Sequence, residues 1–158
     1  MLTPERLNIL RKAFHRAKCS GLHDHVQPPP IIFASELVGL IARKDTSASI
    51  HTNKKTKDSF ARIIPSHITA AFQKWALVTK EKMASPLDYD PKFPHYWSEH
   101  PRDKVFKANT NAFSSRFSGF SMSHPIYHEN TMYLATRHAI HSAALSTEAT
   151  ATFMFLPS

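Results

Sequence analysis

Cysteine is almost missing from this chain of 158 residues: Cys19 stands alone. No internal disulfide and no cysteine-rich zinc site can form, and nothing asks for an oxidising compartment, so a nuclear or cytoplasmic location is expected. Glycine is nearly as scarce. Only Gly21, Gly39 and Gly119 occur, and no Gly-x-Gly appears anywhere, which removes the usual glycine-rich phosphate loop. No apolar run is long enough to span a bilayer, so no membrane partner is expected. Internal repeats and low-complexity tracts are also lacking.

What remains is the composition of one packed domain, 42% hydrophobic and 20% charged, with a formal net charge of +8. That length and balance permit a substantial core and exclude general disorder. The charge is unevenly placed. Residues 1–83 hold 14 Lys or Arg against 6 Asp or Glu, whereas residues 84–158 hold 6 of each. A basic first half can draw in phosphate backbones by counterion release and long-range steering. The RNA or DNA contacts expected from it are Arg11, Arg16, Lys54, Lys55 and Lys57; a merely solvated basic surface is the other reading.

Thr3-Pro4-Glu5 predicts a helix start, with Thr3 as N-cap, Pro4 at the first helical position and an acid in the first turn. Leu7, Leu10, Phe14 and Ala17 share one face, and Gly21 marks a C-terminal stop. An Arg-rich amphipathic start can imitate a mitochondrial presequence, but Glu5 and the cap favour a folded helix. Pro28-Pro29-Pro30 reads as a stiff spacer. A second helix is expected from Ser35, with Leu37, Leu40 and Ile41 as its stripe and Arg43-Lys44 at its end. Residues 44–58 read as an exposed loop carrying the Lys cluster. A third helix is expected from Ser66 to about Met83, with Ile68, Ala71, Phe72, Trp75, Val78 and Thr79 near one face. Residues 84–115, interrupted by Pro86, Pro91, Pro94 and Pro101, read as irregular.

Residues 116–158 form the one complete supersecondary unit. An apolar stretch over 117–123 is followed by the turn His124-Pro125-Ile126-Tyr127. A helical pattern then runs through Met132, Ala135, Ala139, Ser142 and Ala143, and a second apolar run spans 151–156. Strand, helix and strand within about 40 residues is the size of a βαβ unit, which requires parallel strands. In α/β proteins ligands gather at the carboxyl ends of such strands, so the turn at 123–127 is the leading site candidate.

Two segments, in the right order, are similar to the cap-specific adenosine methyltransferase family, which acts on the adenine 6-amino group, and to related methyltransferase-like sequences of algae and other protists. Ala84-Ser85-Pro86-Leu87-Asp88 resembles the family's Ala-Ser-Pro-Leu-Asn. Gly119-Phe120-Ser121-Met122-Ser123-His124-Pro125-Ile126-Tyr127 resembles the strand that ends in Asn-Pro-Pro-Phe, and Thr152 to Pro157 continues the match, so the likeness covers residues 81–158. It implies a partial Rossmann-like methyltransferase unit using S-adenosylmethionine. Ser85, Pro86 and Asp88 would lie at the cofactor, and His124, Pro125, Ile126 and Tyr127 at the base. In the family the Asn side chain and a backbone carbonyl accept the amine's hydrogens while the aromatic ring stacks on the base, so positioning supplies much of the catalysis.

His124 stands where the family has Asn, and Ile126 where it has the second Pro. A neutral imidazole offers one acceptor nitrogen and no amide carbonyl, and Ile126 frees a φ that proline would fix. With no Gly-x-Gly and a sequence ending one strand after the turn, the expectation is a truncated or degenerate methyltransferase-like protein, inactive alone. The fold class expected is α/β, a basic helical region over 1–83 followed by the methyltransferase unit over 84–158, packed as one domain. Two alternatives stay open: a non-enzymatic basic interaction or ribonucleoprotein subunit, and an active enzyme completed by a partner chain. The His pairs at 23/25, 124/128 and 138/141 lack further ligands, so no metal is expected. Ser142 and Ser146 lack a nucleophile elbow.

Overall fold

A computed structural model describes residues 2–19, 29–51, 64–125 and 129–156, with side chains of the second helix described as far as Arg43. The elements run α1 (Pro4–Cys19), α2 (Pro30–His51), α3 (Ser66–Ala76), β1 (Lys80–Lys82), β2 (His95–Ser98), β3 (Asn109–Thr110), β4 (Phe120–Ser123), α4 (Glu129–Ala144) and β5 (Ala151–Met154). Short 3₁₀ turns cover Pro101–Phe106 and Ala112–Ser114. The five strands form one sheet in the order β3-β2-β1-β4-β5, and every neighbouring pair is parallel. The chain thus has a Rossmann-like α/β arrangement with a mainly helical first part. Lys54, Lys55, Lys57, Ile126 and Tyr127 lie outside the described residues, as do Gly21 and the His23–His25 pair.

Helix α1 starts as its sequence dictates: the Arg6 N–H donates to Thr3 Oγ1 (3.2 Å) and the Leu7 N–H to the Thr3 carbonyl (3.0 Å). Its apolar stripe delivers Leu10 and Phe14 to a core shared with Phe33 and Leu40 of α2 and Phe106 of the first 3₁₀ turn. Helix α2 begins five residues before Ser35, at Pro30, and continues through Arg43 as far as His51. Pro30 suits the first helical position because no intrahelical acceptor awaits an N–H there, and no Pro or Gly interrupts residues 44–51. Ile41, expected in the apolar stripe, is exposed, and Phe33 takes that role.

Helix α3 is shorter than its apolar period suggests. Pro65, rather than Ser66, occupies the N-cap position, and the helix stops at Ala76 with Leu77 in the left-handed region (φ 52°). The Val78 N–H reaches the Phe72 carbonyl at 3.3 Å, and the chain then enters β1. Pairing of Lys80–Lys82 with two neighbouring strands outweighs a helical pattern that reached Met83. Trp75, expected in the stripe, is 78% exposed, while Phe72 packs on Phe153 and Phe155 of the last strand region. The stretch 84–115, expected to be irregular, supplies β2 and β3; Pro94 immediately precedes β2 and Pro101 opens the 3₁₀ turn, so both prolines punctuate elements instead of preventing them.

The predicted strand, helix and strand of the last third are present, with Phe120 beside Ala151 and Ser123 beside Met154 in parallel register. Helices cover both faces of the sheet. On one, α4 packs Ala135 and Ala139 against Phe117, Met83 and the half-buried Trp97 and Met154. On the other, Phe72 of α3 joins Val78, Phe93, Met122 and Phe153. The first two helices dock at the β2–β3 side, where Ile9 lies against Ala84, Tyr89, Tyr96 and Ala108. No helix among the described residues is long and apolar enough to cross a membrane.

One polar clamp fastens the first part of the chain to the sheet. Arg43 Nη2 lies 2.8 Å from Asp103 Oδ1, and Ser98 Oγ donates to Asp103 Oδ2 at 2.5 Å. Asp103 is buried, so removing the cation leaves an uncompensated carboxylate. Arg43→Met is expected to destabilise the fold by about 3 kcal/mol, and Arg43→Met with Asp103→Leu by clearly less than the sum of the two single changes. Urea unfolding of the four proteins of this double-mutant cycle checks it.

Candidate functional site

The order 3-2-1-4-5 reverses direction at the centre: from β1 the chain moves outward to β2 and β3, and it returns beside β1 to build β4 and β5. In open α/β sheets the crevice at such a switch point, at the carboxyl ends of the strands, is the ligand position. Here the two strand ends that meet are those of β1, leading into Met83-Ala84-Ser85-Pro86-Leu87-Asp88, and of β4, leading into His124-Pro125. They are tied together, because the His124 N–H donates to the Lys82 carbonyl (3.3 Å) just past the paired residues Lys82 and Ser123. Both segments singled out in the sequence therefore leave the same edge of two adjacent central strands.

The first segment is a rigid turn. Met83 adopts φ 63°, an uncommon conformation for a side-chain-bearing residue, and turns the chain out of β1. The Ser85 N–H donates to Asp88 Oδ1 (2.7 Å), and Ser85 Oγ accepts from the Leu87 N–H (3.2 Å). The Asp88 and Tyr89 N–H groups return to the Ser85 carbonyl at 3.0 and 2.9 Å. Pro86 is fully buried. Asp88 is thus engaged in holding the turn that carries Ser85 and Pro86. In the second segment Pro125 is buried, and the half-buried His124 sets its ring edge-on to Phe155, centroids 6.5 Å apart.

Beneath these turns the central strand holds two buried ionisable groups on opposite faces, and neither was foreseen from the sequence. Lys82 is 1% exposed; its Nζ sits 3.2 Å from the centre of the Trp97 ring, 5.1 Å from that of Phe117, and 3.5 Å from Ser115 Oγ. Burial, reinforced by Lys80, brings its amine down to about 7. Glu81 is 5% exposed and accepts the Asp90 N–H at Oε2 (2.9 Å). Its own burial pushes it up to about 8, with Asp88 and Asp90 adding repulsion and the Asp90 N–H and Arg6 opposing. Asp90 also accepts from the Thr69 hydroxyl of α3. Three consecutive charged residues, Lys80-Glu81-Lys82, look like surface in a sequence. The signal that could have exposed them is the Ala84–Asp88 segment itself, since a ligand turn of an α/β fold follows a strand.

Tyr96 stacks on Tyr89 (3.9 Å, 4°), and its hydroxyl donates to the Phe106 carbonyl at 2.6 Å; burial raises both phenols above their ordinary values. Arg6 lies over the other side of this pair, 5.3 Å from the Tyr89 centroid. The aromatic density of residues 89–97 is therefore largely core. Arg11 and Arg16 are exposed on α1, Arg11 resting 5.8 Å from the Phe33 ring. Among the described residues no group of three or more His, Cys, Asp or Glu is placed to hold a metal ion. His138 instead bonds the Ser115 carbonyl through Nε2 (2.8 Å) and packs edge-on to Phe117. Comparison with protein-family models, with curated proteins and with solved structures gave no match for the chain.

The two central charges act on stability in opposite senses. For Glu81 the folded value lies above the unfolded one, so its contribution is full below about 4.5 and is lost as pH rises towards about 8. For Lys82 the folded value lies below the unfolded one, so stability is regained as pH rises from about 7 towards 10.5. Their combined contribution is expected to pass through a minimum near pH 7–8. Thermal unfolding across pH 5–10 checks this: Glu81→Gln should flatten the acid arm and Lys82→Met the alkaline arm.

Proposed function

We propose that the chain is a degenerate S-adenosylmethionine-dependent adenine 6-amino methyltransferase-like protein, inactive alone, that retains contact with nucleic acid through its basic first part. The observation that carries this reading is the meeting of the Ala84–Asp88 and His124-Pro125 segments at the one switch point of the sheet. In this reading Ser85, Pro86 and Asp88 would hold the cofactor, and His124, Pro125, Ile126 and Tyr127 would face the base. The cofactor would supply an electrophilic methyl group; the protein's part would be to position a single-stranded or flipped adenine against it. The cofactor half fits poorly. Gly39 lies within α2 and Gly119 precedes β4, so neither serves the turn after β1, and Asp88 Oδ1 already closes that turn. The imidazole at His124 is a weaker acceptor set than an amide.

A second reading, a basic interaction or ribonucleoprotein subunit in which the sheet is only scaffold, is favoured by the confinement of the positive excess to residues 1–83. Both readings expect RNA or DNA to bind in a salt-dependent way through Arg11, Arg16, Lys54, Lys55 and Lys57. Neutralising Lys54, Lys55 and Lys57 together should lower the slope of log affinity against log salt by about 2 for single strands, with His124→Ala leaving it unchanged. Calorimetry with S-adenosylmethionine separates the readings. A saturable heat that Asp88→Ala removes supports the methyltransferase-like one, whereas a flat titration beside intact nucleic-acid binding assigns the chain to the second. Methyl transfer to adenine-containing oligonucleotides by the chain alone would contradict the proposed degeneracy, and transfer only after a partner is added would show an enzyme completed in trans.

A further inference from the structure

The sheet ends on one side at β5, which is hydrogen-bonded to β4 and has no strand beyond it among the described residues. The Ala151 N–H donates to the Gly119 carbonyl and the Phe155 N–H to the Ser123 carbonyl, each at 3.1 Å, so the odd-numbered residues turn their main-chain groups towards β4. Successive residues of a strand alternate in this respect, which turns the N–H and C=O of Thr152 and Met154 outward. Natural edges are blunted by shortness, charged side chains, proline or a covering segment. The other edge, β3, is only two residues long. Residues 149–156, by contrast, contain no charged residue and no proline, and all of β5 is only half-buried, whereas the strands of a parallel sheet are normally covered on both faces.

Both faces beside this edge are apolar. On one, Phe153 and Phe155 meet Phe72 of α3 but keep part of their surface in water. On the other, the Thr136 hydroxyl reaches Met154 Sδ at 3.7 Å, which turns that side of α4 towards β5. Tyr133 and Ile140 stand one turn before and one turn after Thr136 on the same side, and they are 64% and 65% exposed. Ala135 and Ala139 of the same helix are buried against the sheet, so α4 carries a second, uncovered apolar stripe along the open margin.

We propose that β5 and this stripe of α4 form a two-fold interface with a second copy of the chain, the two β5 strands pairing antiparallel about Phe153. A two-fold contact uses the same patch on both copies, so the patch must be complementary to itself. Centred on Phe153, the axis sets Thr152 opposite Met154 of the second copy and Met154 opposite Thr152. These are the residues with outward main-chain groups, so both become hydrogen-bonded pairs. Phe153 meets its counterpart in the close pair between them, an aromatic cross-strand contact. That self-matching register favours a second copy over an unrelated strand. Charge agrees with it: residues 84–158 hold 6 Lys or Arg and 6 Asp or Glu, and α1 lies at the β2–β3 side, so the copies meet mainly through their neutral halves. Covering Tyr133, Ile140, Leu156 and the open parts of Phe153, Met154 and Phe155 on both copies removes on the order of 1,000 Å² from water, the size at which specific interfaces begin. The inference stands apart from the methyltransferase-like reading, since it uses no residue of the switch point.

Sedimentation velocity of the full chain from about 1 to about 100 μM is expected to show a monomer–dimer equilibrium, with the dimer at twice 17.9 kDa. Amide hydrogen exchange by NMR at the upper concentration locates the contact: Thr152 and Met154 should be protected, as Ala151 and Phe155 are through β4. Ile140→Lys and Tyr133→Lys, both changes of exposed side chains, should each raise the dimer dissociation constant by about tenfold, because the axis places every change in the interface twice. In both variants Thr152 and Met154 should lose protection while Ala151 and Phe155 keep theirs. A monomer at every concentration, as for an edge that serves a different partner, overturns the inference. So does a dimer whose Thr152 and Met154 amides exchange freely, a dimer that both variants leave unchanged, or open-ended association beyond the dimer.

Discussion

The structure turns on placing the charged tripeptide Lys80-Glu81-Lys82 in the middle of a parallel sheet. Such sheets are covered on both faces, and the two-residue period of a strand sends Glu81 to one face and Lys82 to the other. A buried charge is tolerated only when neighbours answer it or when it is neutralised. The surrounding architecture does both. Segment 83–94 folds back so that the Asp90 N–H reaches Glu81, and the Thr69 hydroxyl of α3 binds the same Asp90. On the other face Trp97 and Phe117 flank the Lys82 amine and Ser115 lies within reach of it. Removing these groups would leave neutralisation as the central strand's only way to carry Glu81 and Lys82.

This constraint explains where the sequence was legible. The last third was readable because its strands are apolar and its helix keeps a plain period, so Phe120–Ser123, Glu129–Ala144 and Ala151–Met154 fall where alternation and periodicity placed them. Helix α1 was readable from its cap. The first central strand was not, because a run of Lys, Glu and Lys carries no hydrophobic signature, and the helical stripe of α3 appeared to continue through Val78 and Thr79. Strands β2 and β3 were hidden for a related reason: they are four and two residues long, too short for any period, and they exist because Lys80 and Glu81 pair with His95 and Tyr96, and Trp97 and Ser98 with Asn109 and Thr110. The two segments were legible as motifs but not as neighbours, since their adjacency depends on that unread strand.

The helical first part and the sheet share their interior. Phe14 and Phe33 meet edge-on at 5.5 Å, and Phe14 reaches Phe106 at 6.1 Å, so an aromatic chain runs from α1 and α2 into the turn after β2. The Arg43–Asp103 clamp closes the same junction with a polar bond. Burial of Leu10 and Phe14 along one stripe leaves Arg11 and Arg16 outward, so the packing that joins α1 to the sheet also decides which of its cations stay exposed.

The two ends of the sheet carry different chemistry for a topological reason. At the carboxyl ends, the turns after β1 and β4 must pass close together, and they are stiffened by buried Pro86 and Pro125 and by Asp88 bonding its own turn, which leaves recognition to a small number of oriented groups. At the amino ends no reversal of strand order brings two turns together. The space between the entry to β4 and the exit of α4 is instead an open cavity lined by Arg116, Glu148 and short hydroxyl side chains, with Gly119 (φ 67°) letting the backbone enter β4 beside the Lys80 amine. A carbon branch at that position would be strained by the backbone angle. The strand-to-strand geometry that brings the turns after β1 and β4 together therefore also sets Gly119 beside the Lys80 amine, and a single register, Lys80 beside Ser121 and Lys82 beside Ser123, governs both ends.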